Sequence, residues 1–149
     1  MYGSLWRERV GVLNWEEVAS VGSSPLAYNP TGTAFDDVTQ FIATVFAWAP
    51  EALPYMRVVH GICHLNDLTW SHAWVEEQRT AETIIYHPVN FRFQLRFAEC
   101  QRKYFYDSFR VNDVTKYTFE DLVALSIKND SKGPWEERYR KLCTDGAVE

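Results

Sequence analysis

The sequence predicts an α+β domain in which an apolar helix packs on a small antiparallel sheet and C-terminal helices follow. Residues 35–49 repeat apolar side chains at helical spacing, residues 55–88 alternate at strand spacing, and Thr118 opens a second helical pattern. With 149 residues, 46% hydrophobic and 15% aromatic, the chain has the length and apolar content for one core spanning residues 1–149.

Residues 1–33 carry the weakest pattern. A short strand or helix around Leu5 to Leu13 and a turn of helix at Trp15 to Val21 lead into SVGSSPLAYNPTGT, whose Gly, Ser, Pro and Asn content predicts a loop. Thr33 then reads as an N-cap, Asp36 completes a variant capping box, and Pro50 marks the stop. Between them Phe35, Val38, Ile42, Val45, Phe46 and Ala49 form one face, which Phe41 and Trp48 widen. A helix this apolar is expected to be central.

The predicted sheet carries all four histidines. Val58, His60 and Ile62 alternate with Val59, Gly61 and Cys63, and His72, Trp74 and Glu76 alternate with Ala73 and Val75. Asn66-Asp67 supplies the turn. Pairing Leu65 with Trp70 puts Gly61 opposite Trp74, Cys63 opposite His72 and Arg57 opposite Gln78, with Glu76 one step from Arg57. In that register His60 and His64 lie on the face away from His72, so the histidines do not converge on a metal. Further on, Phe91, Phe93, Leu95 and Phe97 alternate like a strand, while Phe97, Cys100 and Tyr104 fit a helix; a helix from about Gln94 is expected. Thr118 and Asp121 cap the next helix, Lys132-Gly133-Pro134 ends it, and WEERYRKLC makes a last short one.

Charge and cysteine usage exclude several classes. A net charge of −5 without a basic run argues against a nucleic-acid surface. Three cysteines without a CxxC fit a reducing compartment better than a secreted scaffold. The N-terminus shows no signal-like apolar stretch, and no segment approaches the ~18 apolar residues of a membrane span. A cytoplasmic protein with no membrane partner and no cofactor is the expectation.

Once the helix and hairpin are placed, the order of features resembles the transglutaminase-like branch of the papain-like fold. In that family a G-x-C-x-[DE] pattern opens the helix, R-x-V-x-G and HAWVEV strands follow, and an aspartate, often before proline, closes the set. This chain offers Gly32-Thr33-Ala34-Phe35-Asp36, Arg57-Val58-Val59-His60-Gly61, His72-Ala73-Trp74-Val75-Glu76 and His87-Pro88. The match covers about residues 30–90, and HAWVE is its specific part.

The resemblance implies a cysteine nucleophile at the position of Ala34, His72 as general base and acid, and His87 or Glu76 orienting it. Backbone N–H groups at the helix start would hold the oxyanion. Tyr28, Trp70 and Trp74 would line a groove for a protein or peptide substrate. Hydrolysis, transamidation and deamidation share this acyl-enzyme chemistry. Because alanine cannot attack, three readings stand: an alanine put in place of a cysteine, a family member that kept the groove for binding alone, or another residue in the role. For the last, Cys63 and Cys100 are the candidates, Cys63 being the better reached by His72. Cys143 reads as packing.

Overall fold

The computed structural model describes residues 5–14, 16 and 33–142. The α+β class is as expected, but the sheet is larger than the alternation suggested and mixed rather than antiparallel. Its order is β1-β5-β4-β3-β2-β6. The strands are β1 (Val12–Asn14), β2 (Met56–Leu65), β3 (Leu68–Gln78), β4 (Thr83–Phe91), β5 (Gln94–Gln101) and β6 (Asn112–Tyr117). β1 runs parallel to β5, and the other neighbours are antiparallel. The helices are α1 (Leu5–Val10), α2 (Ala34–Trp48), α3 (Arg102–Ser108), α4 (Phe119–Asn129) and α5 (Glu137–Arg140), with a 3-10 turn at Pro50–Tyr55. Among the described residues no helix is long and apolar enough to cross a membrane.

α2 is the central helix that its spacing predicted. Phe35, Val38, Phe41, Ile42 and Val45 are buried against Val58, Ala73, Val75, Tyr86 and Phe97 of the sheet. Phe46 and Trp48 turn outward instead: the Phe46 ring stacks on Phe119 of α4 at 5.2 Å, and the Arg9 guanidinium lies 4.3 Å from the Trp48 ring. At its start the Thr33 hydroxyl donates to the Asp37 carboxylate at 3.0 Å in place of the expected Thr33–Asp36 box. The Thr118 box forms as predicted, with the Asp121 N–H donating to the Thr118 hydroxyl at 3.0 Å and the Thr118 N–H to the Asp121 carboxylate at 3.1 Å.

The hairpin register differs from expectation by two residues. Leu65 pairs with Leu68, not Trp70, across the tight Asn66-Asp67 turn, where Asn66 takes φ 56°. Gly61 therefore faces His72, Cys63 faces Trp70, and Arg57 faces Glu76. The inferred contact survives diagonally: a Cβ on Gly61 would stand 2.6 Å from the Trp74 ring, so the indole lies over the glycine. The helix expected from Gln94 is strand β5, and helical geometry begins only at Arg102.

Both faces of the sheet are covered. α2 takes one, and α3 with its flanking residues takes the other, where Phe105 and Phe109 pack on Val59, Cys63, Trp70, Trp74 and Ile85. β3 is consequently buried on both sides over Trp70 to Glu77. On the α2 side, Arg7 of α1 and Arg79 both donate to the Tyr86 hydroxyl, at 3.0 and 2.8 Å, and that hydroxyl donates to buried Glu77 at 2.6 Å. The network fastens α1 to the sheet.

Candidate functional site

The strand period of two decides what the predicted site residues can reach. Ala73 and Val75 point to α2, so Trp70, His72, Trp74 and Glu76 point to α3. Ala34, at the start of α2, is on the other side of the sheet from His72. The nucleophile position and its expected base are thus not brought together, and this corrects the predicted catalytic set. The helix side does carry a histidine, His60, whose ring meets Phe35 edge-on at 4.7 Å. It is fully buried among Phe35, Tyr117, Trp135 and Tyr139, neither ring nitrogen has a hydrogen-bond partner, and burial pushes its pKa down to about 3 against the pull of Glu136.

His72 and His87 do come together, with His72 Nε2 3.4 Å from His87 Nδ1. Both are buried under Phe105, and His87 Nε2 has no hydrogen-bond partner. Burial lowers the pKa of His72 to about 4 and holds that of His87 well below the ordinary value, with His72 adding to the shift. Both rings are therefore neutral near pH 7, and one N–H is shared between them. A general base must take on and give up a proton as the reaction runs, and a ring sealed in aromatic packing resists the charged state. Trp70 and Trp74, expected in a groove wall, are buried at 4% and 0% exposure and belong to the same packing. Tyr28 and Cys143 lie outside the described residues.

The cysteines do not replace the missing nucleophile. Burial pushes the Cys63 thiol pKa up, and burial with the nearby Glu99 pushes Cys100 up to about 12. Among the described residues no hydrogen bond joins either thiol to a histidine, and both cysteines are free. His64 is at the surface, bonded to Thr69 at 3.0 Å and Asn112 at 3.3 Å. No group of three or more His, Cys, Asp or Glu residues that could hold a metal ion occurs among the described residues.

Glu76 is the predicted residue that the fold places at an opening. It is 4% exposed, and its oxygens divide their work. Oε2 accepts from Trp74 Nε1 at 3.2 Å and from the Tyr106 hydroxyl. Oε1 faces Lys116 Nζ at 3.2 Å and an Arg102 guanidinium nitrogen at 3.9 Å. Arg57, directly opposite in the register, donates through Nη1 to the carbonyls of Pro54 (3.1 Å) and Met56 (2.7 Å). Arg57, Glu76, Arg102 and Lys116 line a cleft of about 370 Å³ at the β2–β3–β6 edge. A second cleft of about 540 Å³ continues past Tyr106 and Asp107, and Thr83 and Arg102 line both.

Arg57 stood in the predicted sheet without a role, and the corrected register gives it one. Arg102 does lie in a helix, as expected, but its long-range partner Glu76 has no local signal, and Lys116 precedes the predicted Thr118 cap, where the adjacent β-branched Val114 and Thr115 were the available signal for β6. Comparison of the chain with protein-family models, curated proteins and solved structures finds no match.

Proposed function

We propose that the chain is a non-catalytic module that holds an extended polypeptide segment in the groove made by the two clefts. The supporting observation is their adjacency: clefts of about 370 and 540 Å³ meet at Thr83 and Arg102, side by side along α3. Acyl transfer would require a nucleophile and a base within hydrogen-bond reach of each other. Ala34 and His72 are divided by the sheet, and the two core cysteines are packed as protonated thiols. On this proposal the transglutaminase-like order of helix, Gly61 strand and HAWVE belongs to the scaffold, and the groove has moved from the tryptophans to the edge marked by Glu76.

Amide shift mapping with a mixture of short capped peptides tests the proposal. Perturbations are expected at Tyr55, Thr83, Arg102 and Tyr106. Perturbations centred on Ala34 and Phe35, or none at saturating peptide, would overturn it.

A further inference from the structure

We infer that the groove selects acidic peptides, with a peptide carboxylate held at the Arg57–Arg102–Lys116 end; this rests on the polypeptide-binding proposal above. The starting point is a charge count at one place. Three cations line the first cleft with a single carboxylate, Glu76, among them. A chain of net charge −5 has therefore concentrated positive charge where the surface is concave.

The donors are also unspent. Glu76 is largely engaged: Oε2 accepts from Trp74 and Tyr106, and Oε1 faces Lys116 at 3.2 Å with Arg102 at 3.9 Å, so it arranges the cations. Lys116 uses one of its donors on Glu76 and its side chain remains 40% exposed. Arg102 touches Glu76 only at 3.9 Å, lies about 6.0 Å from the Tyr106 ring centroid, and is 46% exposed. Arg57 commits Nη1 to two backbone carbonyls, which fixes the plane of the guanidinium and leaves Nη2 and Nε for an incoming carboxylate. No carboxylate pairs with Arg57 among the described residues.

The second cleft limits where the acid can sit. There Lys103 is paired with Asp107 at 3.0 Å and Glu82 accepts from Gln101 at 2.7 Å, so that end offers carboxylates of its own. An acidic residue is favoured at the first cleft and gains no net attraction at the second, where Glu82 and Asp107 balance Arg102 and Lys103, which sets where the acid of the bound segment sits.

The probes are a capped peptide of two glutamates followed by glycines, the same peptide with glutamines, and inorganic phosphate, each titrated by NMR. The glutamate peptide is expected to bind about tenfold tighter than the glutamine one. Its affinity should fall as ionic strength rises from about 0.05 M to about 0.5 M. Lys116→Gln and Arg57→Gln should each weaken it about fivefold, with thermal melts confirming that the variants are folded. Lys116, at the surface, carries the test if Arg57→Gln loosens the Pro54 turn. Equal binding of both peptides in the groove would overturn the acidic selectivity and leave the polypeptide-binding proposal standing. Phosphate shifts at Arg57 and Lys116 without binding of either peptide would overturn both, as would no binding by any probe.

Discussion

The two faces of the sheet are built from different materials. Under α2 a 15-residue helix covers a core in which Phe41 meets Trp6, Tyr86 and Phe97 at ring distances of 5.6, 5.3 and 4.9 Å, with His60 and Glu77 among its buried polar groups. Under α3 the cover is seven residues long, and the core mixes Trp70, Trp74, Phe105 and Phe109 with two histidines and two cysteines. A short helix cannot hold itself, so α3 is kept in place by its aromatic contacts. The comparison teaches a difference in cover: a long helix spans one face and a short one the other, and the face under the short helix also positions Glu76 and its cations at the rim of the groove.

Truncating one anchor on each face should break the symmetry most. Phe41→Ala and Phe105→Ala each empty a site with at most 1% exposure, at a cost of about 3–5 kcal/mol in urea unfolding. The distributions should differ. Phe41→Ala is expected to lower protection across the whole sheet, whereas Phe105→Ala should speed amide exchange mainly in α3 and open Cys63 and Cys100 to alkylation. The same exchange pattern in both variants would mean that the faces are one cooperative unit.

Acid should act on both faces through their histidines. His60 on one side and His72 and His87 on the other have pKa values lowered by burial, to about 3 for His60 and about 4 for His72. The unfolded chain binds these protons near pH 6.5 and the folded chain does not. Stability is therefore complete above about 6.5 and falls as pH drops toward about 4, with a slope approaching about 1.4 kcal/mol per unit per histidine. Urea midpoints between about pH 7 and about pH 5 measure it, and His60→Phe and His72→Phe should each flatten the slope. A flat wild-type profile would place the rings in contact with water.

The smallest effect is the most diagnostic of the face assignment. An Ala34→Cys thiol, followed by iodoacetamide labelling and mass spectrometry, should react at a rate that His72→Ala leaves unchanged. A rate that depended on His72 would put the two on one side of the sheet.

What the sequence made legible follows from these periods. Apolar spacing located α2, and the side-chain oxygens of Thr118 and Asp121 located the start of α4, because both signals are local. The hairpin slip escaped detection because a shift of two residues leaves every side chain on its original face; only the tight turn at Asn66 distinguishes the registers. Which face α2 would cover was also hidden. Trp70 to Glu77 are buried on both sides, so alternation told the two sets apart without saying which one met the helix. Residues 91–104 satisfied both periods because the chain uses both: Phe91 ends β4, Arg92 and Phe93 make a turn, β5 runs from Gln94 to Gln101, and helix follows from Arg102.

Trp74 gives the molecule an optical property. Its ring lies over Gly61 in the core, while its N–H ends on the carboxylate that Lys116 and Arg102 neutralise at the cleft. The excited indole is a large dipole set beside those charges, so a change in their balance at the rim alters the colour of light emitted from the interior.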